Sequence, residues 1–210
     1  MRIRSVNVGR ACELGGSRTG IFKTPVDHPV MVTVNGLAGD TVYDRRHHGG
    51  ADQAVYVYGQ QDYNWWERQL GRSVPPGSFG DNLTIEGLSS RDLYIGDRLT
   101  SGDLTLQVTA PRIPCATLGR RMNDSRFPIG FRRAELPGCY CRVLTEGLAS
   151  PRVRVSLIQP ESGEDEARIS LIELFKQYYE PSPDEAWVQR VLASPVAERE
   201  RTRLTRLVGT

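Results

Sequence analysis

The residue with the clearest chemical potential is Cys115, in the segment APRIPCATLGRR. It follows LTLQVT, where Leu104, Leu106 and Val108 alternate with Thr105, Gln107 and Thr109 as in a half-buried strand. Pro111 and Pro114 cannot continue a sheet ladder, so the chain must leave the sheet here. Cys115 is therefore expected where a strand ends and a short helix begins, with arginines on both sides in the sequence. Guanidinium groups and a helix start both favour a thiolate, the form that attacks or ligates a metal. The competing reading is a buried, inert thiol, the commoner fate of a single cysteine.

A second constellation is DRRHHGGADQAVYVY. Gly49 and Gly50 permit backbone geometry or close ligand approach that other residues refuse. His47 and His48 precede them, and one imidazole could shuttle a proton near neutral pH. The alternative is a surface loop with hydrogen-bonded histidines. A zinc site built from His47, His48, Cys139 and Cys141 fails on spacing, because no C-x-x-C or H-x-x-x-H pattern occurs. In PGSFGDNLTIEGL, Asn82 could hydrogen-bond a heterocycle or equally cap a turn. Cys139 and Cys141 share one face of an expected strand and read as core. The same holds for Tyr63, Trp65 and Trp66 on an expected helix. The sequence contains no P-loop, Rossmann glycine pattern or serine elbow.

The elements that must position these residues divide at about residue 160. Residues 1–160 read as a β-rich body: VMVTV, AVYVY, LTLQVT, YCRVL and RVRVSLI are strand-like runs bounded by turn residues. Frequent glycine and proline suggest a barrel or sandwich. A helix is expected at QDYNWWERQL and a shorter one after Pro114. PESGEDEA reads as a linker. Residues 161–210 then read as a three-helix appendage, expected to be separable from the body. Ser170 and Glu173 form a capping-box pattern, and Ser182 with Pro183 is the expected start of the next helix. The last helix is expected in PVAERERTRLTRLV.

The net charge is only +2, which gives no general polyanion-binding role and excludes a nucleic-acid polymer as the expected partner. Lysine occurs only at Lys23 and Lys176, and arginine, the better fork for planar anions, supplies the other basic residues. No signal peptide or membrane span is read, and the four cysteines are expected as reduced thiols in a cytoplasmic protein.

Taken in order, several segments resemble the MOSC domain family, named after the C-terminal part of molybdenum cofactor sulfurases, and most of all its YiiM-like branch. They are GLAGD, HGGADQAVYVY, FGDNL, YIGDRL, QVTAPRIPCATL and GCYCRVLTEG, spanning most of residues 1–160. The proline-fenced cysteine after a strand is the most specific of them. The resemblance implies a mainly β fold, a MOSC-type β-barrel with a few helices and a C-terminal three-helix appendage. It implies a molybdenum cofactor (molybdenum–molybdopterin), with Cys115 as the metal ligand and Cys115, His48 and Arg112 as catalytic residues. It extends the cofactor contacts to Asn82, Gly49 and Gly50, and makes Arg120 and Arg132 candidates for the pterin phosphate. The implied activity is reduction of N-hydroxylated compounds to amines, independent of pyridoxal phosphate. The chain has no flavin or iron–sulfur motif, so an external flavoprotein or iron–sulfur reductase would donate electrons. The alternative is a cofactor or sulfur carrier with a persulfide on Cys115. A homodimer is left open. The sequence departs from the family pattern at Gln53, where a basic residue is common, at Asp81, in place of the usual glutamate, and at LASPRVRV, which lacks a G-D turn.

Overall fold

The computed structural model describes residues 1–43, 49–159 and 168–208. Its strands in chain order are β1 (Arg2–Val8), β2 (Cys12–Leu14), β3 (Ser17–Thr19), β4 (Thr24–Val26), β5 (Val30–Thr33), β6 (Gly36–Leu37), β7 (Val55–Gly59), β8 (Leu83–Glu86), β9 (Arg98–Ser101), β10 (Leu104–Pro111), β11 (Cys139–Thr145), β12 (Gly147–Ala149) and β13 (Ser156–Ile158). The α-helices are α1 (Gln60–Leu70), α2 (Ala116–Met122), α3 (Phe127–Ala134), α4 (Leu171–Gln177), α5 (Glu185–Ala193) and α6 (Glu198–Val208). The expected helix after Pro114 is α2, and the three tail helices are α4 to α6. Helix α3 was not anticipated: its core face is carried by Phe127, Phe131 and Ala134, too few residues to stand out as a periodic pattern.

Eight strands form one mixed sheet in the order β13-β9-β10-β11-β7-β8-β1-β4. Neighbours are antiparallel except β7 with β8, which the crossover through α1 makes parallel. Among the described residues the expected closed barrel is not found, and helix and strand content is balanced rather than mainly β. The sheet ends approach through the segment ahead of β13, where Ile3 N–H donates to Val153 O at 2.9 Å and Arg152 N–H to Ile3 O at 2.7 Å. That contact amounts to one isolated bridge, Arg2 with Arg154, and not a ladder. The run RVRVSLI explains why: Arg152 takes φ 70°, and regular pairing begins only at Ser156.

Both faces of the sheet centre are covered. Val55 and Val57 of β7 join one apolar cluster with Ile3, Leu83, Leu106 and Val108. Tyr56 and Tyr58, pointing the other way, join a second cluster with Tyr63, Trp66, Phe79 and Phe131. All five residues of β7 are therefore buried, as AVYVY suggests for a strand with no wet face. Cys139 and Cys141 lie in the first cluster, their Sγ atoms 3.8 Å apart, and no disulfide is formed by any of the four cysteines.

The tail packs into the same core as the sheet. Ile169, Leu171, Leu174, Val188, Val191 and Leu204 belong to the first cluster. Leu171 N–H donates to Leu93 O at 2.8 Å and Ala197 N–H to Thr109 O at 3.0 Å. Arg168 pairs with the buried Asp97. The Ser170–Glu173 capping box forms as expected on α4. On α5 the cap is Asp184, whose Oδ1 accepts from Trp187 N–H at 2.9 Å, and not Ser182. The linker and the boundary expected at 160 lie in residues 160–167, outside the described residues. Among the described residues, no helix is long and apolar enough to cross a membrane.

Candidate active site

Cys115 is the residue at which β10 has ended and α2 has yet to begin. Its backbone is extended (φ −127°, ψ 170°), and its carbonyl accepts from Leu118 N–H at 3.0 Å. Pro111 is still in register with Cys139 as the last residue of β10, so the chain leaves the sheet after it and not before it, and the thiol is half-buried rather than sealed in the core. Cys115 lies on the shared wall of two clefts, together with Gln53, Thr117 and Tyr140. The first cleft runs toward β7 and the segment that follows β3, and is lined by Arg112, Tyr56, Asn82 and Lys23. The second runs between the sheet and the tail.

Arg112 sits at the end of β10 and is 4% exposed. Its guanidinium lies 5.6 Å from the Tyr56 ring centre and 6.0 Å from that of Phe131. Among the described residues no carboxylate pairs with it, and its Nη1 has no hydrogen-bond partner. Burial works against its charge, but Tyr56, Tyr140 and Cys115 around it raise its pKa above the usual value. A buried cation with an unused N–H is a costly arrangement unless an anion completes it. Gln53 supplies the complementary case: among the described residues its buried Oε1 accepts nothing. The phenol of Tyr140, its pKa raised by burial against the opposing effect of Arg112, stays protonated at neutral pH.

A polar network forms the opposite wall. Lys23 and Asp40 are a buried ion pair, with side chains 6% and 4% exposed. Asp40 also accepts from Gly9 N–H at 2.8 Å and from Asn82 Nδ2 at 2.9 Å. Asn82 Oδ1 accepts from Tyr56 N–H at 3.1 Å. Asn82 thus lines the cleft but spends its amide on tying β7 to Asp40. Gly20 brings the wall close: a Cβ there would fall 1.9 Å from Thr41 O.

The MOSC domain pattern matches residues 44–156, more than half of the chain and the stretch that carries Gln53, Asn82, Arg112, Cys115 and Tyr140. The chain belongs to the MOSC domain family. It is 34% identical over 160 residues to the uncharacterized protein YflK of Bacillus subtilis, covering 74% of this chain and 72% of that one. It is 31% identical over 147 residues to protein YiiM of Escherichia coli, covering 68% and 65%. A Gibberella moniliformis protein named reductase is 28% identical over 167 residues, but this chain spans only 29% of its length. The crystal structure of YiiM from Geobacillus stearothermophilus superposes with a TM-score of 0.81 at 28% identity, covering 98% of each chain.

Within this MOSC chain the remaining expected site residues separate. Gly50 adopts φ 98°, ψ 165° and starts the turn 51–53 that presents Gln53, so it acts through the backbone. Gly49, half-buried, and Gly50 are not among the residues lining either cleft. Arg120 lines the second cleft and not the first. Arg132 is drawn elsewhere, its guanidinium 3.8 Å from the Tyr179 ring centre. His47 and His48 lie outside the described residues. Sequence reasoning missed Lys23, Tyr56 and Tyr140 as wall residues. Lys23 had one signal, its rarity in an arginine-rich chain. Tyr140 had another: between two core cysteines on one strand, it must face the other way.

Proposed function

We propose that this MOSC protein reduces N-hydroxylated compounds, of the hydroxylaminopurine or amidoxime type, to amines, using a molybdenum cofactor held at Cys115. The observation that carries the reading is the half-buried thiol set beside a buried guanidinium with an unused N–H. The donor set fits such a group. Cys115 is the soft ligand that molybdenum accepts. Arg112 Nη1 is a donor for an anionic oxygen, and Gln53 Oε1 an acceptor for a ring N–H. When bound, the cofactor supplies two electrons and an acceptor for oxygen.

The reaction balances as R–NHOH plus two electrons and two protons giving R–NH2 and water, with an external reductase as the electron source. The N–O bond breaks, and the departing oxygen needs charge stabilisation and protons. Arg112, held cationic among Tyr56 and Tyr140, provides the first without reorganising. His48 is assigned as the proton donor, and Tyr140 keeps the guanidinium in place. Asn82, Asp40 and Lys23 fix the wall opposite.

The test is anaerobic assay of molybdenum-loaded protein with a chemical reductant and hydroxylaminopurine. Amine product is expected. Cys115→Ser should lose both molybdenum and turnover while its circular dichroism is unchanged. His48→Ala should keep its metal and turn over roughly a hundredfold more slowly, the usual scale for a general acid. A Cys115→Ser protein that holds full molybdenum and still turns over would overturn the assignment. No amine from any of several N-hydroxylated compounds would favour a carrier of cofactor or persulfide sulfur instead.

A further inference from the structure

The seam where the ends of the sheet meet carries an arrangement of arginines that packing alone does not favour. Arg2 and Arg154 are bridge partners, which holds their Cα atoms about 4.5–5.5 Å apart. Like charges set directly opposite one another across strands are destabilising. Arg152 adds a third guanidinium: it lines the same cleft as Arg2 and Arg154, and its N–H donates to Ile3 O at 2.7 Å. Its backbone is strained as well. Among the described residues, the non-glycine residues at positive φ are Asn123, Glu135 and Arg152. Asn123 and Glu135 end helices α2 and α3, but Arg152, at φ 70°, ends none. A glycine adopts that conformation at lower cost, so the arginine works against its own backbone. Glu86 lies on the same cleft wall and is held by Arg2 at 2.7 Å. Among the described residues no carboxylate pairs with Arg152 or Arg154. Three guanidiniums against one carboxylate leave a surplus of two positive charges. Ser156 adds a hydroxyl to the wall, and Met1 and Leu157 an apolar flank.

We propose that the seam cleft is a separate ligand site, and that it takes the dianionic phosphate of a phosphate monoester, held by Arg152 and Arg154 with Arg2 beside them. Such a phosphate carries close to two negative charges at neutral pH, and its oxygens accept guanidinium forks bidentately. Its charge offsets the surplus and removes the repulsion between Arg2 and Arg154. The site stands apart from Cys115. Strand β1 leads away from the seam for seven residues, Arg2–Val8, roughly 20 Å at about 3.3 Å each. Only beyond it does Gly9 meet Asp40 on the wall of the first cleft. The seam cleft shares no residue with either cleft beside the thiol, so the proposal is independent of the reductase reading.

The probes are inorganic phosphate and phenyl phosphate, each added to the full chain and set against sodium chloride of equal ionic strength. Both are expected to raise the melting temperature above the chloride control. In calorimetric titration, Arg154→Gln should bind phenyl phosphate at least about tenfold more weakly than the wild type, the scale of a charge-assisted contact. Arg154→Lys should restore part of the affinity. Arg152→Gly separates a ligand role from a structural one. Relieved of the left-handed strain, it should melt higher than the wild type in chloride, yet bind phenyl phosphate at least about tenfold more weakly. Circular dichroism checks that each variant is folded. A wild-type chain that responds to phosphate no more than to chloride would overturn the proposal. So would an affinity unchanged in Arg152→Gly and Arg154→Gln, because the anion would then be seated elsewhere, such as beside Arg112. Sedimentation with phosphatidic acid vesicles identifies the source of the monoester. Pelleting that depends on Arg154 assigns the phosphate to a lipid headgroup, and phenyl phosphate binding without pelleting assigns it to a soluble compound.

Discussion

Asp81 is wholly buried, and its carboxylate accepts from Tyr63 Oη at 2.6 Å and Thr84 Oγ1 at 2.7 Å. Asn7 Nδ2 donates to the same group at 3.3 Å. Burial raises its pKa above the ordinary 3.8, and these hydrogen bonds only partly offset that. The native state therefore keeps the proton at a pH where the unfolded chain has lost it. The stability Asp81 contributes is fully present below its unfolded value and is lost as pH rises through the folded one. The stability of the wild type relative to Asp81→Asn should accordingly fall as pH rises from about 4 toward 7, measured by urea denaturation at each pH. A wild-type advantage that grows over that range would contradict the burial argument. The departure from glutamate noted in FGDNL thus bears on the packing under the site, with Tyr63 and Phe79 stacked beside it at 5.0 Å.

Helix α4 separates the effect of a cap from that of a core contact. Ser170 caps it through Glu173 N–H at 3.0 Å, while Leu174 is 1% exposed among the sheet residues. Ser170→Ala should cost about 1 kcal/mol. Leu174→Ala should cost about 2–5 kcal/mol, because it removes buried methyl groups and leaves a cavity. Both are read from urea denaturation midpoints with the slope unchanged. If the two costs are equal, the helix is held by its ends and not by its face. Capping was legible in the sequence because it needs residues only three apart. The partner of Leu174 was not, since the sheet residues it meets lie far away in the chain.

At the scale of the whole molecule, one apolar cluster runs from Ile3 in β1 to Leu204 in α6. The expectation of a separable tail came from the polar run PESGEDEA, which marks a connection but says nothing about what the following helices bury. A chain truncated after Gln159 would uncover the sheet face that Leu171, Leu174, Val188 and Val191 cover. It should lose native near-ultraviolet circular dichroism, whereas the full chain should unfold in a single cooperative calorimetric transition. A truncated body with a sharp, native-like melt would restore the tail as an independent unit.

Local chemistry was determined by the sequence alone. Alternation located β10, which ends at Pro111 a few residues before Cys115, and the spacing of Ser170 and Glu173 set a helix start, because each depends on neighbours within a few bonds. The ordered segments also pointed to the MOSC family. Three-dimensional packing decided the rest. It turned the expected barrel into an open sheet bridged at one point, and left Arg112 buried with a donor unused. It sent Arg120 and Arg132 to different places despite their similar sequence surroundings. It also set the tail against Cys115 through Asp52 and Glu198, residues 146 positions apart. Contacts of that separation depend on how two clusters fill space together, which no local pattern encodes.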